Sequence, residues 1–229
     1  MSIEYGQFCP IAKASEIIGE KWTILIIREI LMGGRRFSDL QRGLGTISPT
    51  LLTRRLVELE ERGMIIKKKV QGQKGHEYYA TPSCKELMPI LLSIGNWGMR
   101  WARSNLPTKD YDVELLMLYL QRSILPENLP ETETIIQFSF TDMTEKANWW
   151  LVVKDGSVDT CDKSPGKDID VYFTTTVKTM VDIWTGLMSY RSALSKDTIS
   201  IVGTNALARN ITTWMNGSPF TDLPSAQEI

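Results

Sequence analysis

The stretch ISPTLLTRRLVELEERGMIIKKKV, residues 47–70, decides the fold of the first part of the chain. Ser48 is a preferred helix N-cap and Pro49 fits a first helical turn, so the sequence predicts a helix from this point. Leucines then recur with the period of one helix face, which we expect in the core: Leu52, Leu56 and Leu59. The face left to solvent holds small polar side chains, a base and one apolar residue: Thr50, Thr53, Arg54 and Val57.

Helices and a hairpin are predicted around this segment. Residues 20–31 repeat apolar side chains with a helical period, and a shorter helix is expected from its cap, Ser38, to Leu44. Residues 65–70 and 77–81 are typical of strands, joined by the polar, glycine-rich tip QGQKGH. A helix-turn-helix followed by such a hairpin is a winged helix.

The exposed helix face is chemically suited to double-stranded DNA. An arginine at a helix N-terminus can bind guanine through two hydrogen bonds in the major groove, and threonines can contact phosphates or a thymine methyl. The wing adds basic and polar side chains that we expect to follow the backbone or enter the minor groove. They are Lys67, Lys68 and Lys69 on the strand and Gln73, Lys74 and His76 at the tip.

Charge divides the chain near residues 106–108. The first 105 residues hold sixteen Lys/Arg and ten Asp/Glu, a net +6, and the remainder holds ten and seventeen, a net −7. We therefore predict a winged-helix DNA-binding and dimerisation domain over 1–106 and a second domain with a different partner over 107–229.

Several function classes are disfavoured by composition. No apolar run has the roughly 18 residues of a membrane span and no leader is evident, so we expect a cytoplasmic protein without membrane insertion. The three cysteines are widely spaced, and His76 is the one histidine, so no metal, cofactor or catalytic triad is expected. The sequence predicts a non-enzyme.

The segment from Cys9 to Ala102 resembles the HxlR family of bacterial winged-helix regulators, which are related to the MarR group. The matching motifs are the Cys-Pro start, KWT, FSDL, ISPTLLTRRL and the YYATP strand. The resemblance implies a homodimer on a two-fold symmetric operator. It also implies that Ser48, Thr50, Thr53 and Arg54 read bases, while Arg55 and the wing lysines hold phosphate.

A long helix over residues 85–103 carries an apolar stripe that a small winged domain has little core to bury. A second copy is the preferred cover, because two-fold dimers are the commonest oligomers and match DNA half-sites. The alternative cover is the acidic domain of the same chain. The predicted dimer-interface residues are Leu87, Leu91, Ile94, Trp97 and Trp101.

Cys9 is a candidate redox sensor, because several regulators of the resembled family sense oxidants or electrophiles through a cysteine at the matching place. A sensor thiol needs a lowered pKa and solvent access, and Lys13 is the one nearby cation in the sequence. The alternative is a small thiol buried among apolar side chains.

The second part predicts an α+β domain of one sheet with helices packed on it. Its order of a helix, antiparallel strands, a helical segment, a strand and a last helix is similar to the sterol carrier protein type 2 fold, over residues 111–215. This resemblance implies a tunnel for a small hydrophobic ligand. Candidate lining residues are Phe173, Trp184, Leu187 and Met188.

The combined prediction is an α+β, dimeric, DNA-binding transcriptional regulator, modulated by a small hydrophobic effector in the second domain. Two alternatives stay open at this point. One is a redox regulator that acts through Cys9, and the other is a lipid-binding or interaction module whose winged domain only dimerises.

Overall fold

The computed structural model describes residues 4–70, 72, 74–102 and 110–221. The chain divides into two compact units, Met1–Trp97 and Gly98–Ile229. The predicted break at residues 106–108 lies outside the described residues. The fold class is α+β, with a winged helix-turn-helix unit first and a sheet-containing α+β unit second, as predicted.

The first unit consists of helices and one two-stranded sheet. Its elements are α1 (Pro10–Ile18), α2 (Thr23–Leu31), α3 (Phe37–Leu44), α4 (Pro49–Glu61), β1 (Ile65–Lys69), β2 (His76–Ala80), α5 (Pro82–Lys85) and most of α6 (Met88–Trp101), whose last turn falls in the second unit. The buried leucines and isoleucines of α2, α3, α4 and β1 form one core together with Tyr78 and Cys84. Burial of this apolar surface holds the helix-turn-helix together.

The helix α4 forms as the sequence predicts. The Ser48 hydroxyl accepts a hydrogen bond from the Leu51 N–H at 3.3 Å, and Pro49 occupies the first turn. Leu52, Leu56 and Leu59 are fully buried.

The wing is an antiparallel hairpin with a third chain segment beside it. Register is set by Ile66 opposite Tyr79 and Lys68 opposite Glu77. Arg36 forms a β-bridge with Glu77, and the Tyr78 N–H donates to the Arg35 carbonyl at 2.8 Å.

The second unit packs helices on one face of a mixed sheet. Its elements are α7 (Val113–Ser123), a 3-10 turn at Pro126–Asn128, β3 (Thr134–Phe140), β4 (Asn148–Lys154), β5 (Ser157–Cys161), β6 (Val171–Thr175), α8 (Val177–Trp184), α9 (Tyr190–Ser195), β7 (Ile199–Gly203), α10 (Asn205–Arg209) and α11 (Ile211–Trp214). The strand order is β5-β4-β3-β6-β7, in which β3 and β6 run parallel and the other neighbours antiparallel.

Side chains alternate between the two faces of this sheet, as strand geometry requires. Phe138, Leu151 and Phe173 point into the core with Met180 and Trp214. The Phe138 and Phe173 rings stack at 4.7 Å, and Trp214 meets Phe173 edge-on at 6.4 Å.

Several predicted element boundaries are wrong. The N-cap of α3 is Arg36 rather than Ser38, and the Asp39 carboxylate accepts the Arg36 N–H at 2.9 Å. The helix predicted over residues 85–103 begins at Met88 instead, because Lys85 ends a separate short helix, α5, and residue 103 lies outside the described residues. The closing helix is also split, because Asn210 leaves helical geometry between α10 and α11.

Candidate nucleic-acid interface

The outer face of α4 is open to solvent. Thr50, Thr53 and Val57 are exposed, and the Arg54 side chain is 62% exposed. Arg54 Nε lies 3.7 Å from a Glu58 carboxylate oxygen one helical turn on. Exposed ion pairs of this kind contribute little, so the guanidinium can exchange Glu58 for a stronger acceptor such as guanine or phosphate.

The neighbouring Arg55 faces the interior instead. Its side chain is 6% exposed, and its guanidinium donates to Glu20 and to Glu58, each at 2.6 Å, while Nε donates to the Lys21 carbonyl at 3.2 Å. Burial opposes the charge, but the bonds and attraction from Glu58 and Glu20 outweigh it and raise the pKa of Arg55. This geometry does not agree with the predicted phosphate contact of Arg55. The guanidinium donors are already bound to Glu20, Lys21 and Glu58, and the bonds to Glu20 and Lys21 connect α4 to the segment before α2.

The wing presents its bases as the sequence predicts. Lys67, Lys68, Lys74 and His76 are exposed, as is Lys69. Gln73, predicted at the tip, lies outside the described residues. The structure thus gives the first unit two exposed polar surfaces, one on α4 and one on the wing.

Two further bases lie beside the wing that the sequence did not suggest. Arg35 and Arg36 precede α3, and a dipeptide between two helices gives no sign that it will run alongside a hairpin. The bridge between Arg36 and Glu77 places them there. The guanidinium carbon of Arg35 lies 4.8 Å from the centre of the Tyr79 ring. The signal available in sequence was Gly33-Gly34, which ends α2 and lets an extended segment follow.

The predicted dimer-interface residues on α6 fall into two groups. Leu87, just before the helix, and Leu91 are half-buried against the core of the first unit. Ile94, Trp97 and Trp101 are exposed, with the two tryptophans 62% and 57% accessible. Large apolar side chains in such a row are typical of an interaction surface rather than of a solvated face.

Cys9 stands immediately before α1 and is partly exposed. The Lys13 ammonium, the cation expected to assist the thiol, is bonded at 3.0 Å to the Glu16 carboxylate. Cys84 differs, because it is buried and burial raises the pKa of its thiol. The redox role of Cys9 stays a prediction.

The four predicted pocket residues occupy different environments. Phe173 is fully buried, and Trp184 stacks on Tyr119 at 4.7 Å while its indole N–H donates to the Ser123 hydroxyl at 2.9 Å. Met188 packs at the edge of the core and Leu187 is exposed. Phe173 and Trp184 therefore have internal partners as ordinary core side chains do.

A cleft of about 510 Å³ opens in the second unit, near the turn between β4 and β5. Its lining includes Leu129, Pro130, Val153, Lys154 and Asp155. None of the four predicted pocket residues lines it.

The described part of the chain brings no three His, Cys, Asp or Glu side chains together as a metal site would. Across those same residues, no helix combines the length and the apolar character needed to cross a membrane.

The chain matches two protein-family models, one over each unit. Residues 17–106 match the HxlR-like helix-turn-helix family, and residues 116–216 match the SCP-2 sterol transfer family. The second match agrees with the sterol-carrier-like resemblance of the α+β unit.

Curated relatives match less than half of the chain. The uncharacterized HTH-type transcriptional regulator YvaP of Bacillus subtilis is 34% identical over 98 residues, which cover 42% of this chain and 91% of YvaP. The uncharacterized HTH-type transcriptional regulator sll1512 of Synechocystis is 35% identical over 100 residues, 43% of this chain and 73% of the relative. Among solved structures, the redox regulator HypR in its oxidized form is 29% identical, with 44% of this chain and 100% of HypR covered and a TM-score of 0.38.

The helix-turn-helix, the exposed α4 face and the basic wing define a winged-helix transcriptional regulator. The two relatives share a third or more of the aligned residues over most of their own length. The chain belongs to the HxlR-like helix-turn-helix family.

Proposed function

We propose that two copies of this chain bind a two-fold symmetric operator in double-stranded DNA, with α4 of each copy in the major groove. The observation that carries the proposal is the division of α4 into a leucine face in the core and an exposed face of Thr50, Thr53 and Arg54. Arginine bound to guanine through two hydrogen bonds and threonine beside a thymine methyl are recurrent base contacts. Ser48 caps the same end of the helix. DNA binding of this kind would take place in the cytoplasm of a bacterial cell.

The remaining polar side chains of the first unit fit the sugar-phosphate backbone. Lys67, Lys68, Lys74 and His76 are exposed on the wing, and cations there would release counterions from DNA. Such contacts position the protein without reading sequence.

We assign dimerisation to α6. Its exposed Ile94, Trp97 and Trp101 form an apolar surface that a second copy would cover. Aromatic side chains dominate the energetics of such interfaces, and a two-fold dimer presents its two recognition helices to half-sites one DNA turn apart.

The experiment is fluorescence anisotropy of the full chain on DNA selected by the protein from a random library. The logarithm of the affinity should fall linearly with the logarithm of the salt concentration, and random DNA should compete poorly for the protein. An interaction module whose winged domain only dimerises would show neither behaviour. Selection from a random library removes the need to know the operator in advance.

The second unit is proposed to bind a small hydrophobic effector that changes operator affinity. Support comes from its match to the SCP-2 sterol transfer family over residues 116–216. An effector acts only if it binds the free and DNA-bound states unequally. Native mass spectrometry of purified protein, followed by anisotropy with added long-chain fatty acids, tests this part. Protein without bound lipid and with an unchanged operator Kd would exclude it.

Oxidant sensing by Cys9 is a separate proposal, for which partial exposure of the thiol is the support. Mild peroxide should then weaken DNA binding of the parent, and reductant should restore it. The Cys9→Ser variant should not respond. If peroxide weakens DNA binding of Cys9→Ser as much as that of the parent, a group other than Cys9 is responsible for the response.

A further inference from the structure

Tyr79 holds two cations over its ring on the wing. The Arg35 guanidinium carbon lies 4.8 Å and the Lys68 ammonium 5.1 Å from the ring centre. Both distances are within the range at which a cation is attracted to the negative face of an aromatic ring. Two long, flexible side chains from separate segments therefore meet at one aromatic side chain.

This group lies on the solvent face of the wing. Tyr78 points into the core, so its neighbour Tyr79 points outward. Across the hairpin, Ile66 is directly opposite Tyr79 and Lys68 is directly opposite Glu77. Lys68 is thus a diagonal neighbour of Tyr79 on the same outer face, within reach of its ring.

The Glu77 carboxylate contacts this group through the Tyr79 hydroxyl and faces Arg36 rather than Arg35 or Lys68. Its oxygens accept the Tyr79 hydroxyl at 2.5 Å and lie 3.9 Å from Arg36 Nε. The bond to Glu77 raises the pKa of Tyr79, so the phenol keeps its proton. Among the described residues, no carboxylate lies within ion-pair distance of Arg35 or Lys68. The pair presents positive charge without a protein counterion there.

Arg35 and Lys68 differ in this from Arg55 and Lys13. Arg55 is bound to Glu20 and Glu58, and Lys13 is bound to Glu16. A pair held on a ring and lacking such a partner is suited to an external anion. The flat guanidinium fits two oxygens of one phosphate, and the ammonium adds a compact charge.

We propose that Arg35 and Lys68, positioned by the Tyr79 ring, bind a backbone phosphate of double-stranded DNA beside the bases that α4 contacts. This inference rests on the proposed function, because it names a further contact of the same DNA interface. Duplex DNA is the fitting partner, since Lys67 and Lys69, which alternate to the other face of the same strand, are also exposed and add positive charge to the wing. The contact reads no bases and acts on all sequences alike.

The test is a salt titration of DNA binding with the Arg35→Gln, Lys68→Gln double variant. The slope of log affinity against log salt should become less steep by about 1 for each chain bound. Affinity should fall by the same factor on selected and on random DNA. Lys85→Gln, which removes an exposed charge from α5, serves as the matched control and should keep the parental slope.

Substitutions at Tyr79 separate the ring from the charges. Tyr79→Leu retains both bases but removes the platform, so affinity should fall on both DNAs. Tyr79→Phe removes the hydroxyl and retains the ring, so affinity should stay close to that of the parent. Equal behaviour of the two variants would overturn the positioning role of the ring.

The outcomes distinguish this inference from the proposed function. A parent protein without salt-dependent DNA binding would overturn both. A parent that binds selected DNA tightly, with a double variant of unchanged slope, would overturn the phosphate pair alone. Thermal unfolding of every variant is compared with that of the parent, and a folded double variant with a reduced slope supports the pair.

Discussion

Neighbouring residues of α4 have opposite environments, because each residue of a helix is rotated by about 100° from the last. Leu56 is fully buried, whereas Val57 beside it is exposed. Arg54 is exposed and Arg55 is bound inside the fold. Substitutions at adjacent positions should therefore separate stability from DNA binding.

The first prediction concerns the core face. Leu56→Ala should lower the free energy of unfolding by about 2–5 kcal/mol, because it removes buried methyl groups and leaves a cavity. Val57→Ala, on the exposed face, should change it by less than about 0.5 kcal/mol. Urea denaturation followed by circular dichroism measures both. Similar losses for the two variants would contradict the orientation of α4.

The second prediction concerns the two arginines. Arg55→Ala should lower unfolding free energy by roughly 1–3 kcal/mol, because Glu20 and Glu58 lose a hydrogen-bonded partner while remaining partly hydrated. The slope of log DNA affinity against log salt should be unchanged in this variant. A slope reduced by about 1 would mean that Arg55 does contact phosphate.

At the scale of elements, the contact between α2 and α3 depends on a glycine. A Cβ at Gly43 would lie 2.0 Å from a carboxylate oxygen of Glu29, which is completely buried. The Arg28 guanidinium also donates to the Gly43 carbonyl at 3.0 Å. The two helices approach this closely because position 43 has no side chain.

The third prediction uses this contact. Helix propensity alone favours Gly43→Ala by up to about 1 kcal/mol, but the clash with Glu29 should reverse the sign and destabilise the fold by about 1–3 kcal/mol. Gly98 in α6 is the matched control, since a Cβ there meets nothing within 4 Å. Gly98→Ala should be neutral or stabilising. Thermal unfolding measures both variants, and a melting temperature that rises in Gly43→Ala as well as in Gly98→Ala would contradict the packing of α2 on α3.

The elements best predicted from sequence are those with strong periodicity. The leucines of α4 and the alternation in β3 specify their own faces, so those elements agree closely with prediction. Helix α1 was missed because it is short and buries no residue completely. The α3 cap was misplaced because the helix already begins at Phe37, so Ser38 lies inside its first turn, where Asp39 accepts the Arg36 N–H.

Site residues were harder to predict when their environment depends on distant segments. Arg55 is bound by Glu20, which is 35 residues away in sequence, and periodicity gives no sign of that contact. Arg35 meets Tyr79 through a strand-like segment that lies between two helices. The sequence did assign Thr50, Thr53 and Arg54 to the exposed face, because all three lie on one helix and the period of its leucines determines which face is exposed.

At the scale of the whole molecule, the fourth prediction concerns the dimer. Trp97→Glu should raise the dimer dissociation constant by about 30-fold or more, because a central aromatic residue is replaced by a charge. Sedimentation velocity measures this change. Val202→Glu, at an exposed apolar residue of the second unit, is the control and should stay dimeric. A dimeric Trp97→Glu protein would contradict assembly through α6.

The measurement that tests the central claim most directly is the ratio of affinities for selected and random DNA, in the parent and in Arg54→Ala. Loss of a base contact should lower affinity for selected DNA by about 1–3 kcal/mol more than for random DNA, so the ratio should fall by roughly 5- to 150-fold. Lys85→Ala should leave the ratio unchanged. An Arg54→Ala ratio equal to that of the parent would contradict base reading by Arg54 on the exposed face of α4.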